Sequence, residues 1–222
     1  MKYYQIKSEG KWFAKVPGAD ADPNVKDGRE YRNWQFGEKS GSTLGWFKKS
    51  LEGLITGAEV KPLGEDMFFC IYLDNGDVAQ WKLYESTFLG LSQILAGINL
   101  TQPIRFDAAL NEKRAWTNKY GKRVVPTALY VSQGGDKLPQ TWPYDADNKW
   151  FTGLPKPQVE EKFGRKIRDT SLMEAAFDAE LDSFIQRIEN FSSDIDTAVD
   201  NKRIEESVTE VTVSLSDEDL AF

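Results

Sequence analysis

Histidine is missing from this 222-residue chain, and cysteine occurs once, at Cys70. The first absence removes Ser-His-Asp and Cys-His catalysis, a histidine base and histidine-ligated metals. The second excludes an internal disulfide framework and, with no other thiol, a cysteine-based zinc site. Long apolar runs are missing too. The longest, Met67 to Leu73, falls far short of the ~20 residues that a helix needs to span a bilayer. The N-terminus shows no succession of charged, apolar and small residues of the kind that makes a secretory signal. No glycine-rich phosphate loop and no activated-serine elbow occurs. Apolar residues still make up 40% of the chain and charged residues 28%, enough for a packed core and too apolar for global disorder. The expectation is a soluble protein of a reducing, cytoplasmic compartment.

The formal net charge of −7 becomes informative once it is located. Residues 192–222 hold nine acids and two bases, so they carry all of it, and residues 1–191 are balanced. Within that body, residues 103–168 hold thirteen Lys and Arg against seven Asp and Glu. A locally basic body is therefore joined to an acidic tail.

Residues 1–33 read as an extension: an apolar-polar stretch from Tyr3 to Ile6, then Trp12-Phe13, then a loop from Asp20 to Arg29 rich in Asp, Pro, Asn and Gly. Leu54 to Leu63 reads as a strand bent at Gly57, and Met67 to Leu73 as a run of β-formers. Asn75-Gly76 is a hairpin signal, because a two-residue turn of this kind needs positive φ at both positions, and Val78 to Tyr84 returns as its partner. Beyond Ser86, Leu91, Ile94, Leu95 and Ile98 make one helical face. Pro103 to Leu110 and Val124 to Val131 read as two more strands. Three strands, a helix and two strands form the order of a five-stranded Greek-key barrel of the OB type, so the expected class is mainly β. The expected boundaries are 1–155 for the barrel with its N-terminal extension, 156–191 for a helical extension and 192–222 for a disordered acidic tail. Ser171 with Glu174 makes a capping box, and Leu172, Ala176, Ala179, Phe184, Ile188 and Phe191 form the helix's apolar stripe.

The segment 111–123 joins the last two predicted strands. It carries Lys113, Arg114, Lys119, Lys122 and Arg123 against Glu112, with Trp116 and Tyr120 interleaved. Cations neutralise phosphates and release counterions, and an aromatic face stacks on any base. That pairing suits sequence-tolerant binding of a single strand; the alternative is a solvated hairpin tip with Trp116 packed at its base. Trp46, Lys48 and Lys49 form a second aromatic-basic set, beside Trp34 and Phe36, and Lys82 and Arg105 extend the basic candidates. Trp81 fits stacking or the core equally. Trp142, Tyr144 and Trp150, in a proline-rich stretch, either bind or clamp the chain to the body. Asp74 and Asp77 flank a turn, and Glu65-Asp66 and Glu160-Glu161 lack metal-site spacing. No catalysis, metal or cofactor is expected.

The chain ends in Asp217-Glu218-Asp219-Leu220-Ala221-Phe222. A terminal ring with its own carboxylate, behind three acids, can be read by an apolar pocket rimmed with Arg or Lys. With the barrel-like order over 54–132 and the basic-aromatic loop, this tip resembles the phage type of single-stranded DNA-binding protein, although Ala221 replaces the proline common before the final Phe. The resemblance implies covering of single strands in replication, recombination and repair within a host cytoplasm. It also implies docking of polymerase, helicase or primase through Asp217, Glu218, Asp219, Leu220 and Phe222. A homodimer is neither required nor excluded. The competing readings are an RNA-binding OB or cold-shock-like protein, a docking adaptor that touches only proteins and, third, a metal-dependent nuclease.

Overall fold

The computed structural model describes residues 1–7, 9–17, 28–36, 39–118, 121, 123–162 and 165–214. It is mainly β, with two α-helices. The first 53 residues supply five strands: β1 (Lys2–Lys7), β2 (Lys11–Lys15), β3 (Arg29–Phe36), β4 (Lys39–Lys48) and β5 (Ser50–Gly53). The next three are β6 (Ile55–Leu63), β7 (Asp66–Leu73) and β8 (Asp77–Lys82), followed by α1 (Ser86–Ser92) and a 3-10 turn at Leu95–Gly97. Then come β9 (Ile104–Leu110), the short β10 (Trp116–Thr117) and β11 (Arg123–Val124), β12 (Thr127–Gln133) and β13 (Asp136–Lys137). Two hairpins lead toward the end of the chain: β14 (Tyr144–Asp145) with β15 (Trp150–Phe151), and β16 (Gln158–Lys162) with β17 (Arg165–Asp169). The last element is α2 (Ser171–Ser214).

The strand and helix order predicted for residues 54–133 is present, but the ladders do not close into a barrel among the described residues. One sheet has seven strands in the order β3-β4-β2-β1-β8-β7-β6, and a second has four in the order β13-β12-β9-β5. The free edge of β8, which a closed barrel would pair with its last strand, is taken by β1 running parallel to it, with Tyr3 opposite Val78 and Gln5 opposite Gln80. The segment read as an N-terminal extension is therefore part of the main sheet. Short segments such as Lys2–Lys7 alternate polar and apolar over too few residues to announce a strand, and only the neighbouring β8 edge makes one of them.

The turn between β7 and β8 also differs in detail. It is a three-residue loop in which Gly76 alone takes a positive φ, +82°, while its N–H donates to the Leu73 carbonyl. The Asn75 side chain closes it by donating to the Glu52 carbonyl and accepting from the Asp77 N–H.

The core lies between the two sheets and under the helices. Trp12, Trp81 and Phe106 are fully buried and meet edge to face, with ring centroids 5.4 Å apart for Trp12–Trp81 and for Trp81–Phe106. The Trp12 indole N–H donates to the Phe106 carbonyl at 3.0 Å, tying β2 to β9. Phe69 extends the cluster to Phe88 of α1 and Phe184 of α2. Trp81 is thus core, one of the two readings its strand position allowed. A satellite cluster of Trp142, Leu154 and Phe177 fastens the proline-rich stretch to α2.

Helix α2 departs from expectation at both ends. Residues 158–162 and 165–169, assigned to a helical extension, form the paired strands β16 and β17. The cap sits one residue early: the Thr170 hydroxyl donates to Glu174 at 2.6 Å, and the Ser171 N–H is taken by Asp169. The helix runs 44 residues to Ser214, past Phe191, where the apolar stripe ends. Nothing in 171–214 stops it, since the segment holds neither Gly nor Pro. Leu181, Phe184 and Ile188 anchor its first half, and Arg187 reaches the carbonyls of Leu95 and Ala96. The acidic tip, residues 215–222, lies outside the described residues. No described helix is long and apolar enough to cross a membrane.

Replacing Trp12 with Phe removes the indole donor to the Phe106 carbonyl and leaves part of the buried indole volume empty. The expected cost is about 1–3 kcal/mol, or a drop in Tm of roughly 3–10 °C for a chain of this size. An unchanged Tm would show that the bond contributes nothing.

Candidate nucleic-acid interface

The 111–123 segment is a hairpin tip. Glu112–Arg114 make a 3-10 turn, and Trp116 pairs with Val124 across β10 and β11. Trp116 is 52% exposed, so it is not packed at the base of the loop. Lys113 and Arg114 are exposed and make no ion pair among the described residues, whereas Arg123 is bound to Glu112. Lys119, Tyr120 and Lys122 lie outside the described residues.

The remaining predicted residues divide by face. Lys48 is held by the buried carboxylate of Asp77 and sits 5.1 Å from the Tyr4 ring centre. Arg105 is engaged by Asp107 at 3.0 Å and by Glu52, its cross-strand partner, at 3.3 Å. Neither cation is free for a phosphate. Trp46 stands opposite Ala14, packs against the core and carries the Lys2 ammonium 4.3 Å above its ring. Lys49 is exposed between β4 and β5. The side chains of Trp34 and Phe36 are outside the described set. Lys82, paired with Asp66 at 2.7 Å, faces away from the core.

That outward face of the seven-stranded sheet was not anticipated. The ladder registers place Lys61 of β6, Lys82 of β8, Lys7 of β1, Lys11 and Lys15 of β2 and Arg32 of β3 on it. Against them stand Glu30, Glu59 and Asp66. The same face carries Tyr3, Phe13, Phe47 and Tyr72. The one sequence signal was the alternation in Lys11-Trp12-Phe13-Ala14-Lys15, where the inward Trp12 and Ala14 leave the lysines outside.

The face is concave. A cleft of about 650 Å³ is lined by Lys2, Lys7, Lys15 and Arg32 together with Tyr3, Phe13 and Trp46, and no carboxylate lines it among the described residues. Two glycines shape it. Gly45 lies where a Cβ would come within 2.3 Å of the Phe13 ring, so Phe13 can lie flat across β4 against Phe47. Gly10, at φ +69°, turns β1 into β2 directly over the end of β9, where a Cβ would sit 2.7 Å from the Leu110 nitrogen. There Thr127 donates its hydroxyl to the Lys7 carbonyl, and the Asn111 N–H donates to the Pro126 carbonyl. The base of the Trp116 hairpin therefore abuts the Lys7 end of the sheet face.

The charges on this face are unevenly satisfied. Lys61 is bound to Glu59 at 3.0 Å, donates to the Tyr72 hydroxyl and lies 4.3 Å over the Tyr3 ring. Arg32 pairs with Glu9 at 2.9 Å. Lys7, Lys11 and Lys15 make no salt bridge among the described residues. Burial, and next to it the Arg32 guanidinium, holds the Lys7 ammonium below its ordinary pKa. Arg32 shares its charge with Glu9, whereas Lys7 is part-buried with no ion pair of its own among the described residues, and Glu85 and Glu9 offset its burial only in part, an arrangement a phosphate relieves. No cluster of metal-ligating side chains occurs among the described residues.

Two phenols report on this geometry. Burial, reinforced by a hydrogen bond to Glu59, pushes Tyr72 up to about 12, and burial with the bond to Asp178 does the same for Tyr84. A raised phenol pKa stabilises the fold below the ordinary value of 10, and that contribution is lost as pH climbs toward 12. Ultraviolet titration should find three tyrosines ionising late, these two and Tyr4, which burial and then the Asp77 carboxylate push higher still, with stability declining between pH 10 and 12. Removing the Tyr72 phenol with Tyr72→Phe should leave two late phenols; late titration of three in that variant contradicts the assignment.

No protein-family model, no curated protein and no solved structure matches this chain.

Proposed function

We propose that the protein binds single-stranded DNA without strong sequence preference and performs no chemistry on it. The observation that carries this reading is the open, cation-rich and aromatic face of the seven-stranded sheet, adjoining the exposed Trp116 hairpin. Phosphates meet Lys7, Lys11, Lys15, Lys113 and Arg114, and a base stacks on Trp116. Duplex DNA hides its bases from that ring and loses the stacking contribution. The role that follows is protection of exposed strands in replication, recombination and repair. The acidic tip with Phe222 recruits replication proteins, in keeping with the resemblance of the chain's ends and loop to phage single-strand binders. The reading includes an OB-type core of β6, β7, β8, α1, β9 and β12 with β1–β5 added; the element order supports it.

Tryptophan fluorescence titrated with poly(dT) should show saturable quenching. Neutralising about four to six phosphates gives a slope of log K against log salt of roughly −3 to −4. Lys7→Ala with Lys15→Ala should flatten that slope by about 1.4, and Trp116→Ala should cost about 1–3 kcal/mol of binding with an unchanged Tm. Equal affinity for duplex, or no dependence on salt, is incompatible with the proposal.

A further inference from the structure

A second large concavity lies beyond the sheet face. It is a groove of about 830 Å³ between α1, the β14–β15 hairpin and the start of α2. Leu89, Phe151, Leu154 and Phe177 form its apolar floor, and Arg114, Arg168 and Tyr144 line it as well. No carboxylate lines it among the described residues. Both arginines are exposed and make no ion pair among the described residues. Tyr144 is 57% exposed and is braced edge-on against Phe151 at 5.5 Å between ring centres. Trp150 is held from below, its N–H donating to the Leu154 carbonyl at 2.8 Å.

A depression beside the sheet cleft leads toward the groove. It has a volume of about 110 Å³, shares Gln5, Lys7 and Gln80 with the cleft and continues past Lys82 and Glu85 to Thr87. The next residue toward the N-terminus, Ser86, already lines the groove. Glu85 is the single carboxylate along this passage, and it is flanked by Lys7 and Lys82. Arg114, which lines the groove, belongs to the hairpin that rises from the Lys7 end of the sheet face.

We infer that the strand path does not end on the sheet: it runs from the cleft past Lys7 and Lys82 into this groove, where Arg114 and Arg168 hold phosphates and Tyr144 stacks on a base. The inference rests on the proposed single-strand binding and extends its site. Three features select a nucleic acid as the occupant. The groove begins one residue from where the depression beside the basic cleft ends, it offers unpaired guanidinium groups and no carboxylate among the described residues, and its exposed ring lines it together with those cations. Guanidinium groups bind phosphate oxygens in a planar, bidentate manner, and an aromatic face accepts any base.

The consequence is a length dependence. An oligo(dT) of about 5 nucleotides is short enough to occupy the sheet cleft alone, whereas one of about 15 engages the groove as well. Fluorescence anisotropy of both oligomers should be measured with the full chain and three variants. These are Tyr144→Ala with Arg168→Ala, Arg168→Glu alone, and Lys7→Ala with Lys15→Ala. The groove variants alter exposed side chains and should leave Tm unchanged. Each should weaken the 15-mer, the double variant by about tenfold, and leave the 5-mer within about twofold. The sheet variant should weaken both. If the groove variants leave the 15-mer untouched while the sheet variant weakens both oligomers, the path stays on the sheet. The inference is then wrong, and the single-strand reading survives. If a peptide ending Asp-Glu-Asp-Leu-Ala-Phe binds the unaltered chain, is lost in the groove variants and does not compete with the 15-mer, the groove is a peptide seat and the inference is likewise overturned. If neither oligomer binds the unaltered chain, the single-strand reading itself fails.

Discussion

The hydrogen bond from the Trp12 indole to the Phe106 carbonyl, inside a cluster completed by Trp81 and Phe69, sets the phase of the whole molecule. In a strand, successive side chains point to opposite faces. Once Trp12 is turned inward to reach β9, Lys11, Phe13 and Lys15 have to face out. The ladders then carry that phase across the sheet, to Lys7 and Tyr3 on β1, Lys82 on β8, Lys61 on β6 and Arg32 on β3. A slip of one residue would bury these cations and expose the tryptophans, at a cost in lost aromatic burial and ion desolvation far beyond a domain's net stability. The basic face is therefore a by-product of the same register that builds the core, and the core can be weakened without redistributing its charge.

Charge alone did not pick out this face, because cations on the molecule differ in what they are bound to. Lys48 and Arg105 are as basic as Lys7 in the sequence, yet one is locked onto buried Asp77 and the other onto Asp107 and Glu52. Those acids come from strands distant in sequence or from the alternate position along one strand, and only the fold brings them together. Lys7 has the opposite fate. Burial, and after it the charge of Arg32, disfavours its ammonium, and Glu85 and Glu9 offset this only in part. Pairing removes a cation from ligand recognition, whereas a part-buried cation with no ion pair of its own makes an anion welcome.

Much of the element order was legible. The β-former run at 67–73 and the Asn-Gly turn are local signals that mark elements close to where they stand, whereas of the helical period Leu91, Ile94, Leu95 and Ile98 only Leu91 lies in α1, which ends at Ser92, and Leu95 falls in the following 3-10 turn. The Trp116 hairpin was legible as well, because its cations and ring lie within thirteen residues. Pairing was not. The parallel contact of β1 with β8 joins residues some 75 apart, as in Gln5 with Gln80, and no short-range pattern encodes it. It is this contact that leaves the ladders open and adds β1 and β2 to the sheet. The sheet face escaped notice for the same reason: its residues are gathered by pairing from strands scattered between positions 3 and 82. The length of α2 was misjudged because apolar period was taken as the sign of helix, whereas a segment without Gly or Pro can continue as helix after its stripe ends.

Lysine-modification footprinting tests the central claim most directly. The full chain would be labelled with an amine-specific reagent, alone and saturated with a single-stranded DNA oligomer, and each site quantified by mass spectrometry. The account predicts protection concentrated at Lys7, Lys11, Lys15 and Lys113, with Lys137 on the edge of the four-stranded sheet labelled equally in both states. Protection of Lys137 with unchanged labelling at Lys7, Lys11 and Lys15 would place the strand on another surface and contradict the account.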